Sequence, residues 1–283
     1  KGMNIPDLSK IFSIRVGQKT SFTLRTFSVM VLTAVLLGIW IITREGKKKG
    51  YASELLSDLM FWVLLGGIIG TRLLYVFTHL SWYLAHPQLI PAIWEGGISL
   101  HGAILGGMIA FLLYCRAKNL SPWELGDIFT LPIPLGAAIG RIGCFVNPYD
   151  DFGNLCSPDE FPSFLSPILC MHFYWDSEGV YRLPWPLIDG SVQLLNFFLL
   201  LWLYRKKILG TGEYFFFYMI LHSFERFILE IWRNEKLGGS SYTVFGNTTL
   251  FQVSAPFIIL ISLTVIVIRH FLLQSAQLVQ KKQ

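Results

Sequence analysis

Blocks of apolar residues, each about as long as a bilayer is thick, constrain this chain more than any other feature. A helix needs about 20 mostly apolar residues to cross a hydrocarbon core of about 30 Å. Lipid offers no partners to backbone polar groups, so the blocks predict transmembrane helices. The seven predicted spans run over Leu24–Ile42, Leu55–Phe77, Ile98–Cys115, Leu125–Val146, Pro186–Tyr204, Tyr214–Trp232 and Leu250–Ile268. The predicted fold class is therefore an all-α membrane protein with about seven transmembrane helices.

Composition agrees with this class. Of 283 residues, 53% are hydrophobic and 14% are charged, against about 25% charged in soluble domains. A mean hydropathy of +0.52 excludes a disordered chain and a highly charged nucleic-acid-binding chain. The four cysteines lack the spacing of a zinc site, so no metal is expected. Whether Cys156 and Cys170 pair stays open.

Basic residues predict the orientation of the spans. The connections that follow spans one, three, five and seven are richer in lysine and arginine than the opposite set. These basic residues are Arg44, Lys47, Lys48, Lys49, Arg116, Lys118, Arg205, Lys206, Lys207, Arg269, Lys281 and Lys282. By the positive-inside rule the C-terminus is cytoplasmic and the N-terminus lies outside. The insert 147–182 then forms a small extramembrane cap on a single polytopic domain, 1–283.

Charged side chains inside the predicted spans indicate a polar site. Each costs about 2.5–3.5 kcal/mol at a helix centre, so it must face a partner or a wet cavity. Glu230 follows Arg226 by four residues, which puts both on one face of a helix. Internal ion pairs that stabilise helix packing would explain such charges. Three cations, Arg72, Arg141 and Arg226, would equally suit an anionic ligand such as a lipid phosphate.

A histidine lies near the start of the third predicted span. His101 is followed by Gly102 and preceded by Gly96 and Gly97. A neutral imidazole can take a proton from a weak nucleophile, but an interfacial hydrogen-bonding role is also open. The glycines let a lipid head group approach closely, and they suit small-residue helix packing equally well.

Three of these motifs together resemble those of bacterial prolipoprotein diacylglyceryl transferases. They are Trp94-Glu95-Gly96-Gly97-Ile98-Ser99-Leu100-His101-Gly102, Gly140-Arg141-Ile142-Gly143 and Arg226-Phe227-Ile228-Leu229-Glu230. Their order and intervals agree with the family as well. Looser similarity from Asp58 to Tyr75 and from Thr249 to Pro256 extends the resemblance over about Phe12–Ile268.

The resemblance implies a seven-span enzyme of the bacterial inner (cytoplasmic) membrane with a periplasmic cap. Such an enzyme moves the diacylglyceryl group of phosphatidylglycerol to the lipobox cysteine of a prolipoprotein signal peptide. A thioether forms, glycerol phosphate leaves, and no cofactor or metal is required. The implied partners are phosphatidylglycerol, prolipoprotein signal peptides and membrane lipids, with no nucleic acid.

The resemblance also implies roles for residues at matching positions. Arg141 and Arg226 would bind the phosphate and stabilise the leaving group. Glu230 would orient Arg226 or a lipid hydroxyl, and His101 would be the general base for the substrate thiol. The further substrate-binding positions are Gly102, Asn147, Arg72 and Asp189.

The chain departs from the family at several polar positions. Phe27 replaces a tyrosine in the first span, and Cys144 follows the Gly-Arg-Ile-Gly motif where asparagine is usual. Leu183–Asp189 retains only part of the family's pattern before the fifth span, and His222-Ser223 replaces Tyr-Gly before Arg226. The alternatives are therefore a paralogue that acts on another phospholipid head group, or a membrane protein that binds or transports lipid.

Overall fold

The architecture is taken from a computed structural model that describes residues 4–5, 10–16, 20–92, 96–97, 99–146, 153–173, 180–232, 243–245 and 248–280. The chain divides into two compact units: Ile39–Ile128, and Lys1–Gly38 together with Phe129–Gln283. The helices are α1 Thr26–Lys48, α2 Ser53–Thr78, α3 Leu80–Ala85, α4 Leu100–Ala117, α5 Pro122–Thr130, α6 Pro132–Phe145, α7 Ser166–Leu169, α8 Trp185–Lys206, α9 Tyr214–Leu229 and α10 Leu250–Gln280. The strands are β1 Asn4–Ile5, β2 Lys10–Val16, β3 Thr20–Arg25, β4 Met171–Phe173, β5 Tyr181–Arg182, β6 Thr243–Phe245 and β7 Thr248–Thr249.

The prediction of an all-α membrane protein is confirmed. In the part of the chain that the structure describes, five helical segments are long and apolar enough to cross a membrane. They are Thr26–Lys48, Ser53–Thr78, Pro122–Phe145, Trp185–Lys206 and Phe251–Leu272. The other two predicted spans are helical but shorter: His101–Ala117 is apolar, and α9 has 16 residues and contains Glu225 and Arg226. Seven spans therefore stays a prediction.

Helix ends differ from the predicted bounds for local reasons. The fourth span starts at Pro122 and consists of two helices, α5 and α6, which meet at Leu131. Pro132 begins α6, because the proline ring is tolerated in the first turn of a helix. The sixth helix ends at Leu229, and a single turn of 3-10 helix, Glu230–Trp232, continues it. The last helix runs on to Gln280, since nothing in its sequence after Pro256 interrupts it.

Within the unit Ile39–Ile128, α2 and α4 pack through glycines. A Cβ added to Gly106 would collide with the carbonyl of Gly66, and one added to Gly102 would collide with the carbonyl of Gly70. Close backbone contact of this kind is how small residues bring membrane helices together. The start of α4 is also joined to α2, because the Thr71 hydroxyl donates to the Ser99 carbonyl at 2.6 Å.

The other unit combines α6, α8, α9 and α10. α6 packs against α8, and α9 packs against both α8 and α10. Gly143 of α6 lies against Phe27 of α1, and Gly190 of α8 lies against Arg141; a Cβ at these glycines would meet its neighbour at 3.0 Å and 3.1 Å, which is a tight contact. These contacts bring one turn each of α6, α8 and α9 to a common point, where the polar residues of the next section lie.

The described part of the predicted cap insert is a small sheet with a disulfide. β4 pairs with β5 antiparallel and with β1 parallel. Cys156 and Cys170 are bonded, which decides the pairing that the sequence left open. An N-terminal hairpin of β2 and β3 was not expected from the sequence.

Candidate functional site

Two basic residues of α9 and α6 share one acidic residue of α8. Asp189 Oδ2 lies 2.5 Å from Arg141 Nε and 3.5 Å from a terminal nitrogen of Arg226. Arg226 also reaches Glu230, one turn further along, with 3.1 Å between Nη2 and Oε2. The structure therefore brings together Arg141, Asp189, Arg226 and Glu230, which the sequence analysis assigned to one site.

Burial differs sharply among these four side chains. The carboxylates of Asp189 and Glu230 are almost fully buried, and Arg226 is buried as well. Arg141 keeps 22% of its side chain exposed. A buried ion pair orders its members because each loses a great deal if its partner leaves. Arg141 is thus more accessible to solvent than Asp189, Arg226 and Glu230, which are buried.

The guanidinium of Arg226 contacts an aromatic ring as well as carboxylates. Its central carbon lies 4.9 Å from the centre of the Phe251 ring of α10, a cation–π contact. Arginine presents five N–H donors in a rigid fork, and its fork geometry matches carboxylate and phosphate oxygens. Two carboxylates and a ring therefore fix the position of this planar cation.

A second polar cluster continues from the arginines along the α8–α9 contact. The Glu225 carboxyl lies beside Asp189 and accepts from the amides of Gln193, at 2.9 Å, and Asn196, at 3.0 Å. The Tyr218 hydroxyl donates to Gln193 Oε1 at 3.1 Å. Residues Asp189, Gln193 and Asn196 follow a spacing of four and three, so they line one face of α8. That spacing was the signal by which the sequence analysis could have found Gln193 and Asn196, which it missed.

Arg72, a predicted substrate-binding residue, donates hydrogen bonds to main-chain carbonyls. In the unit Ile39–Ile128, its guanidinium donates to the main-chain carbonyls of Leu89, Ile90, Gly96 and Gly97 at 2.6–3.0 Å. The connection between α3 and α4 is thereby attached to α2. Arg72 thus anchors that connection in this structure, and its role in substrate binding stays a prediction.

The remaining predicted residues have separate positions. His101 is exposed in the first turn of α4 and hydrogen bonds to no residue that the structure describes. Gly102 is buried against Gly70 in the α2–α4 contact, so its lack of a side chain serves helix packing. Asn147 lies outside the described residues.

The family model and the similar proteins all point to the same family. The sequence profile of the prolipoprotein diacylglyceryl transferase family matches residues 15–268. A phosphatidylglycerol–prolipoprotein diacylglyceryl transferase of Limosilactobacillus reuteri is 32% identical over 250 residues, 88% of this chain and 88% of that protein. Proteins of the same name from Staphylococcus carnosus and Bacillus cytotoxicus are 33% identical over 245 residues and 32% identical over 267 residues. The first alignment covers 87% of this chain and 86% of that protein, and the second covers 94% of each.

Proposed function

Because the chain belongs to the prolipoprotein diacylglyceryl transferase family, we propose that its paired arginines bind the phosphate of phosphatidylglycerol during transfer of the diacylglyceryl group to a prolipoprotein. The protein is a multi-pass membrane enzyme, and its reaction is the first step of lipoprotein maturation. The observation that carries the proposed site is the single oxygen of Asp189 that joins Arg141 to Arg226.

The reaction exchanges one bond for another at the diacylglyceryl carbon. The sulfur of the lipobox cysteine forms a C–S bond, the C–O bond to the phosphate breaks, and glycerol phosphate leaves. The thiol proton must pass to a base, and the phosphate changes from a diester to a monoester with more negative charge. Guanidinium groups aimed at that phosphate stabilise the charge where it develops.

The acidic residues of the site position the cations. Two carboxylates, Asp189 and Glu230, face two guanidinium groups, so the four side chains are balanced without ligand. A phosphate would then be bound by the N–H donors of positioned guanidinium groups and not by a large excess charge. Such a site favours a ligand of matching geometry, since arginine forms paired hydrogen bonds with phosphate oxygens.

A direct assay tests the function. Purified protein is incubated in detergent micelles with phosphatidylglycerol and a lipobox peptide, and mass spectrometry follows the cysteine. We expect the diacylglyceryl mass on the thiol with phosphatidylglycerol and its absence with phosphatidylethanolamine. No product from folded protein would contradict the function and favour a paralogue that binds or moves lipid.

We propose His101 as the general base for the substrate thiol. Its imidazole is exposed and has no hydrogen-bond partner among the described residues, so it is accessible to a substrate. We expect His101→Gln to lower kcat by about 10²–10⁴-fold, the usual contribution of a positioned base. His86→Gln, in a partly exposed histidine after α3, is the control and should keep full activity. Activity of His101→Gln within twofold of the wild type would assign the base to another group.

We propose the cytoplasmic membrane as the location, with the N-terminus outside and the C-terminus inside. Basic residues end α1 and α8, at Lys47, Lys48, Arg205 and Lys206, as the positive-inside rule requires of cytoplasmic ends. The Cys156–Cys170 disulfide precedes α8, on the opposite side. Disulfides persist in oxidising compartments, which supports an extracytoplasmic cap.

Cysteine labelling in intact cells tests this orientation. In a Cys115→Ser, Cys144→Ser background, a membrane-impermeant maleimide should label Cys156 and Cys170 only after an impermeant reductant has been added. Lys48→Cys is the control. It lies at the C-terminal end of α1, on the proposed cytoplasmic side, and should react only after permeabilisation. Labelling of the cap cysteines only after permeabilisation would reverse the orientation.

A further inference from the structure

The amide of Gln193 has a single orientation that its neighbours determine. Its Oε1 accepts from the Tyr218 hydroxyl at 3.1 Å, and its Nε2 donates to Glu225 Oε2 at 2.9 Å. Asn196 donates to the same carboxylate oxygen at 3.0 Å. A rotated amide would place Oε1 against an oxygen that already serves as an acceptor, so the observed orientation is the favourable one.

This orientation determines which nitrogen of His222 carries the proton. Gln193 Nε2 lies 2.8 Å from His222 Nδ1. An amide nitrogen has no lone pair to accept with, so Nδ1 must be the acceptor and the ring proton lies on Nε2. The Glu225 carboxylate is 3.9 Å from Nδ1, too far for a competing hydrogen bond.

The imidazole of His222 lies close in sequence and contact to residues of the proposed phosphate site. His222 lies one turn before Arg226 on α9, and its hydrogen-bond partner Gln193 lies one turn after Asp189 on α8. Its side chain is 37% exposed. Within the described residues, Nε2 has no hydrogen-bond partner.

We propose that His222 binds substrate through its Nε2–H, which donates a hydrogen bond to a phosphate oxygen of phosphatidylglycerol beside Arg141 and Arg226. Gln193 is a positioning residue that holds the ring in this tautomer. The inference rests on the proposed function, because it uses the same phosphate. It also gives His222 a role distinct from that of His101, since Nδ1 of His222 is occupied by Gln193 and the ring acts as a donor and not as a base.

Three substitutions of His222 test the donor. Glutamine places an amide N–H near the position of Nε2, asparagine places one near Nδ1, and phenylalanine supplies neither. We expect His222→Gln to keep kcat/KM for phosphatidylglycerol within about threefold of the wild type. His222→Asn and His222→Phe should lose about 10–100-fold, as expected for a hydrogen bond to a charged group, with the loss mainly in KM. His270→Gln, an exposed histidine of α10, is the matched control.

Nitrogen NMR of histidine-labelled protein tests the tautomer without any assay. Signals absent from His222→Gln identify His222 in the wild type. We expect a pyridine-type Nδ1 and a pyrrole-type Nε2, and mixed tautomers in Gln193→Leu. A pyrrole-type Nδ1 for His222 in the wild type would overturn the assignment.

The two proposals fail in different ways. If the wild type forms no thioether product, the proposed function is wrong, whatever the tautomer. If the wild type is active and His222→Phe matches it within twofold, or His222→Gln is as impaired as His222→Phe, the function stands and the donor role is wrong.

Discussion

Arg226→Ala is expected to abolish diacylglyceryl transfer and to destabilise the protein together. The guanidinium pairs with Asp189 and Glu230, whose side chains are 2% and 1% exposed. Its removal leaves Glu230 buried without that cation and leaves Asp189 with Arg141, and breaking a buried pair typically costs about 3–5 kcal/mol. Loss of a donor that stabilises developing charge lowers kcat by about 10²–10³-fold. Transfer measured by mass spectrometry and thermal unfolding in detergent would show both effects.

A combined variant separates the two effects of Arg226. Arg226→Met with Asp189→Asn and Glu230→Gln removes the cation and both charges that need it, so stability should recover while activity stays lost. Arg269→Ala is the matched control, since that arginine is partly exposed and donates to the Thr211 carbonyl. Measurable transfer by the combined variant near the wild-type rate would show that Arg226 serves folding alone.

The positions of the helices could be predicted from the sequence because lipid imposes a length on every apolar block. Their ends could not, because local residues decide them, as Pro132 does between α5 and α6. The N-terminal strands β2 and β3 were missed because the prediction rested on apolar blocks. A short hairpin outside the apolar blocks leaves no pattern comparable to a transmembrane span.

The site could be predicted only in part, because charge inside a span shows that a partner exists but not which partner it is. For Arg226 the partner was one turn away, and the spacing to Glu230 predicted it. For Arg72 the partners are main-chain carbonyls of a distant connection, which no side-chain pattern reveals. The bridge from Asp189 to Arg141 depends on how α6 packs against α8 and is set by tertiary structure.

Arg141→Ala is expected to abolish transfer with little loss of stability, in contrast to Arg226→Ala. Arg141 retains 22% of its side chain exposed, and Asp189 keeps Arg226 as a partner when Arg141 is removed. The substitution should therefore weaken the interaction with substrate, and kcat/KM for phosphatidylglycerol should fall by about 10²–10³-fold. The unfolding midpoint should stay near that of the wild type.

Arg141→Lys shows whether charge or geometry matters at this position. Lysine restores the charge but not the planar fork that binds two oxygens at once, so we expect only partial recovery of kcat/KM. Full recovery in Arg141→Lys would show that only the charge of Arg141 matters. Full activity in Arg141→Ala would contradict a phosphate site built on the two arginines. A large fall in unfolding temperature for Arg141→Ala would instead mean that Asp189 depends on Arg141 for its burial, and that α6 and α8 are held together by the same ion pair that meets the substrate.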